Sequence, residues 1–261
     1  MGISRRGLLI GTGVFGVAGL LAVADTAPVR RRLGWTGPDG VVPDVPPAPV
    51  AQSCHQSAAR GREVDVVVIG DRAAPVCLVL HGRGGSAQGM VELGLPQFLA
   101  ASGLRLALVA VDGGDEYWTG PSMTMLTSEL PMWLSDLGLA RPRAALGISM
   151  GGFGALALAA RQDFDAVAVA SPALFPTWAD AEAVHGFPDE RTWQDHEPLR
   201  HTIAARTAVG VWCGQEDPFH DAAVTFAAQA DATSFDHGAH DAGYWKRVLP
   251  HALRFVGDRV R

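Results

Sequence analysis

One serine of this chain lies in a glycine-rich turn of a kind that presents a hydroxyl for nucleophilic attack. Gly147-Ile148-Ser149-Met150-Gly151 matches the pattern G-x-S-x-G. The apolar residues 144–148 predict a strand, and residues 152–160 predict a helix. A sharp strand-to-helix turn needs glycines, because side chains there would collide with the neighbouring elements. A serine hydroxyl alone is a weak nucleophile, so Ser149 requires a base and an acid that orients the base.

The candidates for the acid follow a later predicted strand, residues 208–213. Directly after it the chain reads Gly214-Gln215-Glu216-Asp217-Pro218. Asp217 is the first candidate and Glu216 is the alternative. Either carboxylate is also explained as the cap of a following helix, because Pro218 suits a first helical position.

The candidates for the base lie in the loop after the last predicted strand, residues 232–235. His237 and His240 are both in this loop. His220 is too close to Asp217 in sequence to be its obvious partner, although it is a candidate for the pocket. His81 lies in an earlier loop, where we expect mainly a structural role.

A carbonyl that is attacked by a hydroxyl also needs two backbone N–H groups that stabilise the oxyanion. We expect one from Met150, the residue after the serine, and one from the loop at residues 81–85, where position favours Arg83. The Arg83 side chain is a further candidate for an anionic substrate. A phosphate-binding P-loop is excluded, because no G-K-[ST] follows these glycines.

These residues must be positioned by an alternation of strands and helices. The predicted strands are residues 62–69, 76–80, 104–111, 144–148, 166–170, 208–213 and 232–235, and the predicted helices are residues 95–102, 127–137, 152–160, 222–230 and 244–256. Short apolar strands separated by helices predict an α/β fold, in which a mostly parallel central sheet has helices on both faces as a three-layer sandwich. Residues 171–206, rich in proline and tryptophan, are expected to pass over one end of the sheet, and we call them the cap segment.

Ligands of such sheets bind where the strands end, which predicts the walls of a pocket. The loop at residues 112–118 follows a predicted strand, and Trp178 and Trp193 are aromatic candidates from the cap segment, although packing explains either aromatic equally well. The full set of candidates for a substrate pocket is His81, Gly82, Asp112, Tyr117, Trp118 and His220.

The quoted motifs resemble those of the α/β-hydrolase superfamily, in particular the esterases related to esterase D and to the mycolyltransferases of the antigen 85 complex. The resemblance covers roughly residues 60–258, and the order Ser149, Asp217, His240 is the order of that superfamily. In this family a tryptophan follows the catalytic histidine at the start of the last helix. Trp245 occupies that place relative to His240, so the resemblance favours His240 over His237. It implies a serine hydrolase that cleaves carboxylic esters or transfers acyl groups, with a small-molecule or lipid-like ester as substrate.

Other functions are compatible with the same fold. A non-catalytic binding protein of the cell envelope is the main alternative, because fold alone does not establish activity; the ordered serine, acid and histidine argue against it. A serine peptidase would share the triad, but 261 residues leave no room for the propeller that many such peptidases carry. We did not find the trehalose-binding and mycolate-binding features of a mycolyltransferase.

Composition excludes several classes of protein. With 27 acidic against 21 basic residues the net charge is −6, which argues against a nucleic-acid partner. Three cysteines are too few for a disulfide scaffold. No cluster of histidine, cysteine and acidic residues has the spacing of a zinc site, so we expect no metal and no cofactor.

The N-terminal segment is typical of an export signal. Arg5 and Arg6 precede an apolar run at residues 8–24, as in a twin-arginine signal, and an uncleaved membrane anchor is the alternative. We therefore divide the chain into a signal peptide or anchor (1–24), a proline-rich linker (25–50) and an α/β-hydrolase catalytic domain (51–261). The protein is expected in the periplasm, at the cell envelope or secreted.

Overall fold

The computed structural model describes residues 36–260, in which eight strands form one sheet. The order across the sheet is β1-β2-β4-β3-β5-β6-β7-β8. Strands β3 to β8 run parallel, whereas β2 is antiparallel to β4 and β1 is antiparallel to β2. The strands are β1 (Val50–Ser57), β2 (Arg62–Gly70), β3 (Val76–Leu80), β4 (Ala107–Val111), β5 (Pro142–Ile148), β6 (Ala166–Ala170), β7 (Ala208–Trp212) and β8 (Ala232–Ser234).

Helices cover both faces of this sheet, so the predicted three-layer α/β-hydrolase architecture is confirmed. They are α1 (Ala87–Glu92), α2 (Leu95–Ser102), α3 (Gly120–Thr124), α4 (Leu130–Asp136), α5 (Met150–Ala159), α6 (Trp178–Glu182), α7 (Glu190–His196), α8 (His220–Phe226) and α9 (Ala242–Gly257). Helices α1, α2 and α9 form the core on one face, and α3, α4, α5 and α8 form the core on the other. Helices α6 and α7 belong to the cap segment.

The continuous apolar strands of the sequence are explained by this double covering. In β2, Val66 and Val68 pack into one core while Val67 and Ile69 pack into the other, because successive side chains of a strand point to opposite faces. The parallel strands are therefore buried on both sides, and their carboxyl ends all lie at one edge. The candidate catalytic residues follow β5, β7 and β8 and meet at that edge.

Several elements differ from the sequence prediction, and the short helices α1 and α3 were not predicted. Strand β1 was missed, because its residues are mostly polar and it forms an edge of the sheet with exposed side chains. The predicted helix 127–137 is instead α4 preceded by a π-helical turn (Met125–Glu129). Pro131 has no N–H for a regular helical bond, which favours this irregular turn. The predicted strand 104–111 begins only at Ala107, because pairing with Gly70 of β2 and Val76 of β3 starts at this residue.

The proline-rich stretch expected to be a linker packs on the domain over residues 36–49. The Gly40 amide donates to the Gly243 carbonyl at 2.8 Å, and Arg247 donates to the Pro38 carbonyl at 2.7 Å. The Ala48 amide donates to the Pro96 carbonyl at 3.0 Å. The packed body therefore starts before residue 51.

The expected signal or anchor at residues 1–24 and the first part of the linker lie outside the described residues. No helix within residues 36–260 is long and apolar enough to cross a membrane.

Candidate active site

Ser149 lies at a sharp turn between β5 and α5, with a backbone conformation that few residues adopt. Its φ is +57° and its ψ is −120°. The flanking glycines make the turn possible: a Cβ at Gly147 would collide with the Gly151 carbonyl, and a Cβ at Gly151 would collide with the Leu80 carbonyl. The strained turn holds the Ser149 hydroxyl above the ends of the strands. The residue as a whole is 8% exposed.

The structure brings Ser149, His240 and Asp217 into one hydrogen-bonded chain. Nε2 of His240 lies 2.8 Å from Oγ of Ser149, and Nδ1 lies 2.9 Å from Oδ2 of Asp217. A carboxylate can only accept, so Nδ1 carries the proton and Nε2 is free to accept the serine proton. These contacts are those of a nucleophile, a general base and an orienting acid.

Asp217 is held as a carboxylate in a buried place. Burial acts to raise the pKa of Asp217, but the charge and hydrogen bond of His240 and the Phe219 amide outweigh it, so the pKa is below its usual value. The Phe219 amide donates to Oδ1 at 2.9 Å. Asp217 therefore remains charged and keeps His240 oriented.

The two alternative candidates pair with each other instead of joining the chain. His237 Nδ1 lies 2.7 Å from Oε1 of Glu216, and the Gly238 amide donates to Oε2 of Glu216 at 2.7 Å. This pair is on the surface, with the His237 side chain 65% exposed. The geometry thus separates Asp217 and His240 from their neighbours in sequence.

Two aromatic rings hold the imidazole of His240. Phe219 and Trp245 each contact it edge to face, with ring centroids 5.2 Å apart in both pairs. Trp245 was expected at this place from the family resemblance, whereas Phe219 was missed. Its signal was its position two residues after the acid, in a loop that ends at the site.

The loop after β3 approaches Ser149 closely, as expected for an oxyanion loop. A Cβ built on Gly82 would lie 3.3 Å from Cβ of Ser149 and 3.8 Å from its Oγ. The Met150 amide starts α5 beside the serine, where the helix dipole favours negative charge. The Arg83 guanidinium donates to the Val184 carbonyl at 2.6 Å and so ties this loop to the cap segment.

A cavity of about 730 Å³ opens beside Ser149 and His240. His81, Gly82 and Tyr117 line it, as predicted. Tyr117 adopts φ +50°, and its ring stacks on that of Phe187 with the centroids 4.8 Å apart. Burial raises the pKa of its phenol to about 12. Most of the other walls are apolar and were not predicted; they include Met90, Leu93, Ile148, Val184 and Trp245.

Three predicted pocket residues lie outside the walls of this cavity. Oδ1 of Asp112 accepts a hydrogen bond from the Ala87 amide at 2.5 Å. Trp118 is fully buried beneath the oxyanion loop, and His220 faces Asp221, with Nδ1 3.1 Å from its carboxylate. From the cap segment, Trp178 and Trp193 pack on each other, with centroids 6.1 Å apart, and neither lines the cavity.

Within the part of the chain that the structure describes, no group of three or more histidine, cysteine, aspartate or glutamate side chains is placed to hold a metal ion.

Comparison with known proteins decides the family. A family model described as "Putative esterase" matches residues 56–256. The chain belongs to this family. It is accordingly a carboxylic ester hydrolase, and its substrate is a small-molecule ester. No curated protein sequence matches the chain.

Solved structures of other proteins share the fold at low sequence identity. MPT51 of Mycobacterium tuberculosis is 24% identical with a TM-score of 0.68, over 82% of this chain and 100% of its own. An S-formylglutathione hydrolase of Agrobacterium tumefaciens is 16% identical with a TM-score of 0.68, over 84% and 98%. A ferulic acid esterase is 20% identical with a TM-score of 0.68, over 81% and 99%. These likenesses establish the fold of this esterase.

Proposed function

We propose that this esterase is a serine hydrolase that works through a Ser149–His240–Asp217 triad and an acyl-enzyme. The observation that carries the proposal is the continuous hydrogen-bonded chain from Ser149 Oγ through His240 to the buried Asp217. All three side chains have the protonation pattern that the reaction needs before substrate arrives.

In the first half of the reaction, Ser149 attacks the ester carbonyl while His240 Nε2 takes its proton. Asp217 stabilises the charged imidazole, and the Met150 and Arg83 amides stabilise the oxyanion. The tetrahedral intermediate collapses as His240 gives the proton to the departing alcohol oxygen. In the second half, water loses a proton to His240 and attacks the acyl-enzyme. The bond to Ser149 Oγ then breaks as His240 returns the proton to that oxygen, which releases the acid and restores Ser149.

The substrate we propose is an ester with an apolar acyl or aryl group. Support comes from the cavity, whose walls are largely aliphatic and aromatic and whose 730 Å³ exceeds what an acetyl group fills. Each buried methylene contributes about 0.8 kcal/mol, so kcat/KM should rise about fourfold per methylene until the cavity is full.

The test is turnover of p-nitrophenyl esters from acetate to laurate by the wild type, Ser149→Ala and Ser135→Ala. Ser135 is exposed on α4 and serves as the matched control. We expect Ser149→Ala to lose about 10⁵-fold or more in kcat and the control to behave as the wild type. Retained turnover in Ser149→Ala would refute the triad, and a preference for acetate would refute the apolar substrate.

Acyl transfer is the second activity that the chain has to be tested for. An acyl-enzyme can be resolved by an alcohol as well as by water, and the resemblance to mycolyltransferases keeps this route open. Adding methanol during turnover and quantifying methyl ester against free acid measures the partition. We expect free acid to dominate, and a dominant methyl ester would make the protein an acyltransferase.

We further propose that the full chain is exported, on the strength of the paired arginines and the apolar run at residues 8–24. Cell fractionation of the full chain tests this against Arg5→Lys/Arg6→Lys, with Arg31→Lys as the control. If the chain is exported through this signal, the double variant should accumulate in the cytoplasm, whereas the wild type and Arg31→Lys should not. Recovery with the membranes would indicate an anchor, and recovery in the soluble exported fraction would indicate cleavage.

A further inference from the structure

His81 lies in the oxyanion loop with both ring nitrogens engaged, although the reaction as described does not use it. The Gly113 amide donates to Nε2 at 2.9 Å, and Nδ1 lies 2.7 Å from the Gly82 carbonyl oxygen. A backbone amide can only donate, so Nε2 has no proton. The proton is therefore on Nδ1, which donates to the Gly82 carbonyl.

The surroundings fix this tautomer and the orientation of the ring. His81 is 1% exposed, and burial lowers the pKa of its imidazole despite the Gly82 hydrogen bond, which acts to raise it. Trp118 contacts the ring edge to face at 5.1 Å, and its indole N–H donates to the His81 carbonyl at 3.2 Å. The Ser122 hydroxyl donates to the Gly113 carbonyl at 2.7 Å and so holds the residue whose N–H faces Nε2.

The bond to Gly82 has a consequence for the next amide along the chain. A trans peptide is planar, so the Gly82 C=O and the Arg83 N–H point in opposite directions. The Gly82 oxygen is held by His81 Nδ1 and also by the Gly85 amide at 3.0 Å. The Arg83 N–H is therefore directed away from His81, in a loop that lines the cavity beside Ser149.

We propose that His81 is a positioning residue for ester hydrolysis, which aims the Arg83 amide at the oxyanion by holding the Gly82 carbonyl. The inference rests on the proposed function. It gives a role to a histidine that touches neither the nucleophile nor the acid. Trp118, outside the cavity, holds the preceding peptide through the His81 carbonyl.

Two substitutions separate the bond to Gly82 from the bond to Gly113. In His81→Asn the amide nitrogen can occupy the place of Nδ1 and still donate to the Gly82 carbonyl. In His81→Gln the side-chain oxygen reaches the place of Nε2 and accepts from Gly113, while the donor to Gly82 is lost. The two variants lose a similar amount of packing, so each is the control for the other.

Steady-state kinetics of both variants on one p-nitrophenyl ester test the proposal. We expect kcat of His81→Gln to fall by about 10- to 100-fold with KM within about twofold, because one oxyanion donor is misdirected only in the transition state. His81→Asn should recover kcat to within about fivefold of the wild type. Equal losses in the two variants, or no loss in either, would overturn it.

A measurement on the wild type keeps the proposal testable should both variants fail to fold. Imidazole ¹⁵N chemical shifts report the tautomer of His81, and a proton on Nε2 would contradict the role. Ser149→Ala in the same assay separates the two failures. If Ser149→Ala is inactive and His81→Gln is fully active, only the positioning role is lost; if Ser149→Ala is active, the proposed function itself is lost.

Discussion

The floor of the cavity and the cap segment above it are stabilised by different kinds of interaction. On the floor, the backbone itself fixes the geometry: Ser149 has a positive φ, and Gly147 and Gly151 leave space for neighbouring carbonyls. The cap segment contains only short helices, and individual side chains attach it to the body. Local sequence therefore specifies the floor, whereas the cap depends on contacts between residues distant in sequence.

Glu197 shows how the cap segment is held. Its carboxylate is fully buried and accepts hydrogen bonds from the Phe175 amide at 3.1 Å, the Trp193 indole at 3.0 Å and the Leu199 amide at 3.2 Å. Phe175 in turn packs on Phe219, which contacts His240. A single buried acid thus connects the cap to the ring that supports the base.

After the loss of Ser149 itself, the largest effect is expected on the floor, from the acid of the triad. Asp217→Asn should lower kcat by about 10³- to 10⁴-fold, because the amide no longer fixes the Nδ1–H tautomer of His240. Glu216→Gln is the matched control, since this neighbouring acid pairs with His237. Ester turnover measures both, and a larger loss in Glu216→Gln would mean that the roles are reversed.

The next largest effect is expected on the stability of the fold, at the turn between β5 and α5. Gly151→Ala should destabilise the fold by about 3 kcal/mol or more, because its Cβ would overlap the Leu80 carbonyl. Gly103→Ala is the control for backbone strain alone, because Gly103 has φ +66° and open space around it. This substitution should lower the free energy of unfolding by about 1–2 kcal/mol. Urea unfolding compares the two, and equal costs would show that the floor is less tightly packed than described.

The contribution of the cap segment to the free energy of unfolding should depend on pH. Burial raises the pKa of Glu197 to about 7, against the N–H donors and Arg200, which lower it. The folded chain therefore binds the Glu197 proton more tightly than the unfolded chain, whose pKa at this residue is 4.5. The proton contributes about 3 kcal/mol to the free energy of unfolding below pH 4.5, and this contribution is lost as the pH rises through about 7.

Substituting this acid should flatten the pH dependence. The free energy of unfolding of Glu197→Gln should fall less than that of the wild type between pH 4.5 and 7. Glu190→Gln, at an exposed position of α7, is the control and should keep the wild-type slope. Unfolding by urea at a series of pH values measures this, and parallel curves for Glu197→Gln and the wild type would exclude the buried acid as a source.

The smallest effect is expected on the wall between floor and cap. Leu93→Trp narrows the cavity, so it should lower kcat/KM for laurate by about tenfold more than for acetate, as expected for losing one to two buried methylenes. Val224→Trp, on the exposed side of α8, should change neither ester. An equal loss for both esters would place the acyl group elsewhere.

The sequence predicted the floor well and the cap poorly, for the same reason. Ser149 and Asp217 could be found because each follows an apolar strand, and parallel strands bring their carboxyl ends together. His240 follows the last short strand, and the family resemblance through Trp245 separated it from His237. Strand β1 escaped detection because an exposed edge strand has no apolar pattern. Leu93 and Val184 could not be assigned to the cavity, because only the folded chain brings the end of α1 and the cap segment to the same cavity.

The central claim is tested most directly by the site at which a fluorophosphonate attaches. We expect the wild type to gain one adduct, mapped by peptide mass spectrometry to Ser149, and His240→Ala to react far more slowly, since the hydroxyl then has no base. Ser149→Ala should remain unlabelled while it unfolds at the temperature of the wild type. An adduct on another residue, or a folded wild type that stays unlabelled at saturating probe, would contradict the triad.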